Sequence, residues 1–170
     1  MDLDALDLRL LDQLQRDASL TNLELAERVH VSPATALRRT RRLVEEGVIE
    51  RTVALLSTDK LAPGLSAVVE VTLEPQTART LDAFEARATS DEAVQQCYRT
   101  ASGPDFVLLA TVVDMPAWHA FLRRVMTDDA HVRNVKSYFV TKRAKFAPAI
   151  PLASGRPRGQ TRGQIPVSGV

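Results

Sequence analysis

Apolar residues near the start of the chain recur every three or four positions, at Leu3, Leu6, Leu10, Leu11 and Leu14. That spacing makes one face of a helix, with Asp7, Arg9, Asp12 and Gln13 lying off it and an end near Asp17. Thr21-Asn22-Leu23-Glu24 then has the capping-box pattern, and Leu20 and Leu25 are placed to staple it. A short second helix offers Leu23, Leu25, Ala26 and Val29 for packing. After His30 and Val31, Ser32 is a good N-cap and Pro33 suits the first helical position, where its missing N–H is harmless. The third helix is expected to run to about Glu46, with Gly47 stopping it. Segment 48–56 is β-rich and is expected to leave this unit as a strand.

Pro63-Gly64 marks a turn within 57–66, and beyond it the period shortens to two. Ala67, Val69, Val71 and Leu73 alternate with Ser66, Val68, Glu70 and Thr72, a half-buried strand. Thr77 caps a helix in which Leu81, Phe84 and Ala88 share a face. Segment 94–101 reads as a second strand, Ser102-Gly103-Pro104 as a tight turn, and 106–113 as a nearly all-apolar central strand. Pro116 begins a helix with Trp118, Phe121, Leu122 and Val125 on one side, and 132–140 is the last strand. The order β-α-β-β-α-β is the ferredoxin-like arrangement, with both helices on one sheet face. Its uncovered face keeps apolar side chains and therefore expects a partner, most simply a second copy. The fold class is α+β: a winged-type helix-turn-helix domain over 1–60, a ferredoxin-like domain over 61–150, and a tail over 151–170. That tail carries Arg156, Arg158 and Arg162 among glycines and prolines and reads as disordered.

Charge changes this picture only when it is located. The 22 Lys+Arg against 21 Asp+Glu look unfavourable for nucleic acid. By segment, residues 1–60 hold 9 basic and 11 acidic side chains, 61–150 hold 10 and 10, and the tail 3 and none. The third helix nevertheless carries Arg38, Arg39, Arg41 and Arg42. A wheel centred on Thr40 turns Ala36, Leu37, Leu43 and Val44 toward the core. Thr35, Arg38, Arg42 and Glu45 then lie opposite, with Arg39 and Arg41 on the flanks. This suits either a solvated face neutralised by Glu45, Glu46 and Glu50 or double-stranded DNA, and the two capped helices with a Ser-Pro start favour DNA. Guanidinium groups match phosphate oxygens and the acceptor edge of guanine. Arg38, Arg42 and Thr35 are expected at base edges, and Ser32, Arg39 and Arg41 at phosphates or at the domain's own acidic groups.

Other chemistry is sparse. Cys97 is the single cysteine, which excludes an internal disulfide framework, and with only His30, His119 and His131 beside it a metal site is poorly supplied. No Gly-rich phosphate loop and no nucleophile with a base beside it is present, so neither a cofactor nor an enzymatic activity is expected. His119 and Asp128-Asp129 read as packing and turn residues. No apolar run approaches the roughly 18 residues of a membrane helix, and Met1-Asp2-Leu3-Asp4 lacks the basic and apolar regions of a signal peptide. Cytoplasm is the default location.

Over about residues 2–146 the sequence resembles the leucine-responsive and asparagine-synthase regulators, the Lrp/AsnC family. The resemblance is carried by Leu3-Asp4 with Asp7 and Leu10-Leu11, by 23–29 with Val31-Ser32-Pro33, and by 39–43 with Gly47-Val48-Ile49. Ser102-Gly103, Asp105, Asp114-Met115 and Lys145 match common positions of the effector domain. The resemblance implies a dimeric transcription regulator, in many members an octamer of four dimers, whose C-terminal domain binds a small effector such as an amino acid near a subunit interface. It places Ser102, Gly103 and Asp105 in the effector turn and Val135 and Ser137 in the contributing final strand. Asp105 then suits a bound ammonium group, or else only orders the turn. There are three departures from the family's pattern: Gly103-Pro104-Asp105 is one residue short and Val135 stands where threonine is common, which remove polar contacts although Ser137 retains a hydroxyl, and Ala130-His131 replaces Pro-Gly. The rival readings are an architectural DNA-binding protein without an effector and an amino-acid-sensing regulatory subunit of an enzyme.

Overall fold

Helix α1 (Ala5–Leu14) starts where the Asp4 side chain accepts from the backbone N–H groups of Leu6 and Asp7, while the Asp7 side chain returns to the Asp4 backbone. The computed structural model describes residues 2–61, 64–127 and 131–152. Helix α2 (Asn22–Val29) has the capping box expected at Thr21 and Glu24, and ends on His30 in the left-handed conformation at φ 58°. Helix α3 (Pro33–Glu45) is capped by Ser32. Gly47, at φ 71°, takes the left-handed turn that a Cβ would strain and so closes the helix. Leu10, Leu25, Ala26, Val29, Ala36 and Leu43 form the buried core of this three-helix unit, with Leu20, Val31 and Ile49 packed around it.

The strand expected over 48–56 does not form among the described residues. The backbone N–H groups of Val48 and Ile49 both donate to the Leu43 carbonyl, so these two residues finish α3 and its core. Beyond them Val53, Leu55 and Leu56 are more than 60% exposed. β-branched composition favours a pleat only where a neighbouring strand supplies a ladder, and this segment meets none among the described residues. A one-turn helix, α4 (Thr58–Leu61), follows.

The chain divides into two units, Met1–Ala54 with Phe146–Val170, and Leu55–Lys145. By its contacts the segment from Phe146 groups with the first unit. Gln15 holds it there: its side-chain amide donates to the Ile150 carbonyl at 3.0 Å and accepts from the Ile150 N–H at 2.9 Å. The arginines of the tail expected to be disordered lie outside the described residues.

In the second unit β1 (Leu65–Leu73), α5 (Ala78–Ser90), β2 (Val94–Arg99), β3 (Phe106–Val112), α6 (Met115–Leu122) and β4 (Val132–Phe139) follow in the expected order. The sheet is antiparallel with strand order β2-β3-β1-β4. Alternation along β1 buries Ala67, Val69, Val71 and Leu73 beneath α5 and α6, where they meet Phe84, Phe106, Trp118 and Phe121. Helix α6 runs into a π-helical turn, Arg123–Thr127. There Arg124 pairs with Asp91 at 2.9 Å and the Arg87 Nε donates to the Val125 carbonyl. The other sheet face carries Val68, Glu70, Val107 and Leu109, all only half-buried.

Candidate nucleic-acid interface

Helix α3 is held against α1 by charge as well as by leucines. Asp7 is fully buried, and its Oδ1 accepts from Arg39 Nη1 at 3.1 Å while its Oδ2 accepts from Arg42 Nη2 at 2.6 Å. Arg39 Nη1 also donates to Asp4 Oδ2 at 2.5 Å. The carboxylates that cap α1 are therefore the partners of two of the four arginines on α3. Arg42, expected at base edges, is engaged by Asp7 in this structure. For Arg39 the alternative of an internal acidic partner is the one the structure takes.

The reason lies in the direction of the core. Ala36 and Leu43 are the residues of α3 that are buried completely, whereas Leu37 and Val44 are 39% and 52% exposed. The buried axis thus runs between Ala36 and Leu43, about 50° from the Thr40 direction at 100° per residue. On the same scale Arg39 and Arg42 lie about 50° and 110° from the core axis, on the side facing α1, and Arg38 and Arg41 each lie about 150° away. Arg38 and Arg41 are exposed and line one shallow groove with Ala34, Leu37 and Glu45. Neither makes an ion pair among the described residues. Ser32 and Thr35 open the helix: the Thr35 N–H donates to Ser32 Oγ at 3.3 Å, and their hydroxyls share a 2.9 Å hydrogen bond.

Asp7 was placed off the apolar face by sequence pattern, yet it sits three residues, about 60°, from the buried Leu10. The signal that finds it is the pair of carboxylates at Asp4 and Asp7 opposite arginines at Arg39 and Arg42, both at helical i, i+3 spacing.

Several carboxyls of this unit ionise more readily than usual. The Asp7 N–H and the Arg39 guanidinium lower the Asp4 carboxyl to about 2. Arg16 lowers Asp12, the Ser19 hydroxyl lowers Asp17 and the Thr21 hydroxyl lowers Glu24. Because each folded value lies below the unfolded one, the stabilisation is complete above about pH 4 and is lost as pH falls toward the folded value. Circular-dichroism melts should show the helical unit's melting temperature flat from about pH 8 to 5 and falling between about pH 4 and 2. Asp4→Ala should make that fall shallower.

At the effector turn, Gly103 adopts φ 84° and the Thr100 hydroxyl donates to the Pro104 carbonyl. Asp105 is engaged through its backbone and one carboxylate oxygen. Its N–H donates to the Val71 carbonyl, its carbonyl accepts from the Thr100 N–H, and its Oδ2 accepts from the Leu73 N–H at 2.7 Å and from Gln76 Nε2 at 3.3 Å. The carboxylate ties the β2–β3 turn to the end of β1, a longer-range version of the ordering role. Ser102 and Gly103 are exposed. Val135 lies opposite Val71 and packs on the core, and Ser137 lies opposite Val69. Strand β1 separates both from the turn, because β3 pairs with its other edge.

Residues 3–50 match the model of winged helix-turn-helix DNA-binding domains, and residues 66–150 match that of the Lrp/AsnC ligand binding domain. The chain belongs to the Lrp/AsnC family of transcriptional regulators. The Bkd operon transcriptional regulator of Pseudomonas aeruginosa is 36% identical over 151 residues, which cover 89% of this chain and 99% of that protein. The leucine-responsive regulatory protein of Escherichia coli is 32% identical over 144 residues, 85% of this chain and 88% of the relative. A transcriptional regulator of Neisseria meningitidis, solved in complex with L-Met, superposes with a TM-score of 0.79 at 31% identity, over 88% of this chain and 97% of that one. In this Lrp/AsnC regulator α1–α3 form the DNA-binding module and the four-stranded unit is the ligand-binding domain. No described helix is long and apolar enough to cross a membrane.

Proposed function

We propose that this regulator is a cytoplasmic homo-oligomer without enzymatic activity that reads operator DNA with the outward face of α3. The observation that carries this reading is the division of the helix: Arg38 and Arg41 stand free on the face farthest from the core, while Arg39 and Arg42 are tied to α1. Arg38 reaches base edges and Arg41 a base or a phosphate. Ser32 and Thr35, at the positive end of the helix, favour a phosphate. One such helix in one groove binds weakly, so useful affinity requires two copies presented to half-sites one or more helical turns apart. The half-buried apolar side chains Val68, Val107 and Leu109 on the open sheet face supply a surface for that pairing, and four such dimers make the octamer. An amino acid is the effector class, supported by the L-Met complex of the Neisseria relative. Asp105 Oδ2 already serves Leu73 and Gln76, so the turn offers a ligand its backbone, Ser102 and the other carboxylate oxygen of Asp105.

The test is sedimentation of the full chain together with fluorescence-anisotropy titration of operator and scrambled duplexes, each with and without the twenty amino acids. A dimer or larger species whose operator affinity or size changes with one amino acid supports the reading. A monomer that binds both duplexes alike overturns it. Identical binding and size with every amino acid removes the effector and leaves the architectural DNA-binding alternative.

A further inference from the structure

Asp4 and Asp7 do more to α3 than a leucine could. Two arginines on a DNA-facing helix would ordinarily add phosphate contacts, which raise affinity for every sequence equally. Here Arg39 and Arg42 meet carboxylate oxygens at 2.5, 3.1 and 2.6 Å, the contacts a phosphate would otherwise provide. Arg39 is only 20% exposed and Asp7 not at all. Arg42 is further engaged by Glu46, at 3.9 Å. The cluster is not optimised for stability, since the Nε of each arginine is buried without a hydrogen-bond partner. Buried ion networks with unsatisfied members seldom stabilise relative to a well-packed apolar alternative. What they do well is fix an orientation, and the orientation fixed here leaves Arg38 and Arg41 facing outward.

We infer that Asp7, assisted by Asp4, is a specificity-determining positioning residue: it acts as an internal phosphate mimic that withholds Arg39 and Arg42 from the DNA backbone. This inference rests on α3 being the DNA-reading helix. Sequence discrimination then rises because the non-specific term is kept small. The slight acidity of residues 1–60, 9 basic against 11 acidic side chains, has the same effect at long range.

The test uses the full-length protein, an operator duplex and a scrambled duplex, titrated across a salt series. Asp7→Asn removes the buried negative charge that Arg39 and Arg42 share, leaving Arg39 to Asp4 and Arg42 to the more distant Glu46. Scrambled-duplex affinity should rise about 5- to 10-fold at 0.1 M salt, the value of roughly one added phosphate contact, and the salt slope should steepen by about 0.9 or more per binding unit. The operator-to-scrambled ratio should fall, and Asp7→Glu should restore it toward wild type. A residue with a purely structural role gives the opposite pattern, with both affinities falling together, and that outcome overturns the inference. So does Asp7→Asn with both affinities unchanged.

If circular dichroism shows that Asp7→Asn does not fold, Arg39→Gln and Arg41→Gln decide the matter. Arg39→Gln should leave the scrambled-duplex slope unchanged and Arg41→Gln should reduce it by about 0.9. Equal reductions overturn the withholding of Arg39 while leaving α3 as the DNA-reading helix. No effect of any arginine substitution on α3 removes the underlying reading as well.

Discussion

Phe84→Ala should lower the stability of the sheet-containing unit by about 3–5 kcal/mol, the range for deleting a fully buried aromatic side chain. Phe84 has no exposed surface and its ring lies 4.8 Å from that of Phe106, which locks α5 onto β3. The Arg87 guanidinium also lies over the ring, 5.2 Å from its centroid, while its Nε donates to the Val125 carbonyl at the π-helical turn. Removing the ring therefore opens a cavity that α5 cannot close without releasing Arg87 from the π-helical turn. Against a total stability of typically about 5–15 kcal/mol, such a loss brings the unit close to unfolding. Urea denaturation followed by Trp118 fluorescence measures it directly, because Trp118 is buried in the same core. Val113→Ala is the control: Val113 is 74% exposed and its truncation should cost less than about 0.5 kcal/mol. A Phe84→Ala loss no larger than that of the control would mean that the core is packed differently.

Arg38→Ala should weaken operator binding by about 1–3 kcal/mol, roughly 5- to 150-fold, and do so by flattening preference at particular base pairs. Arg41→Ala falls in the same range if it reads a base. If it holds a phosphate, it weakens all sequences alike and reduces the salt slope by about 0.9. The doubly substituted protein should retain its fold, since both side chains are exposed and neither has an ion-pair partner among the described residues. Melting curves of the variants therefore separate lost contact from lost structure. Sequence-independent binding of wild-type strength in the double variant would assign DNA contact to another surface.

Much of the architecture is legible in the sequence because it rests on local physics. Caps at Thr21, Ser32 and Thr77, the stop at Gly47 and the alternation through β1 each follow from a few adjacent residues. The order of strands and helices then leaves few topologies. What the sequence did not reveal depends on contacts between distant segments. The wheel of α3 had to be centred by composition, and Leu37 and Val44 pulled the axis away from Ala36 and Leu43. An axis displaced by about 50° separates Arg38 from Arg41 and places Arg42 on the outward face. Asp7 was hidden for the same reason: a carboxylate within a helix is assigned to solvent unless its arginines, more than thirty residues away, are known to face it. Segment 48–56 shows the limit of β-propensity, which has no partner strand to act on among the described residues. Asp105 was recognised as a turn residue, but its bond to the Leu73 N–H required knowing that β1 and β3 are neighbours.

The central claim is that the outward face of α3, with Arg38 at its centre, reads DNA sequence. Selection of bound duplexes from a randomised pool, performed in parallel with the wild-type protein and Arg38→Ala at physiological salt, tests it most directly. Wild type should enrich one motif with two-fold symmetry, and Arg38→Ala should lose preference at matching positions of both half-sites while keeping the half-site spacing. Recovery of the same motif with the same base preferences from both proteins would contradict the claim.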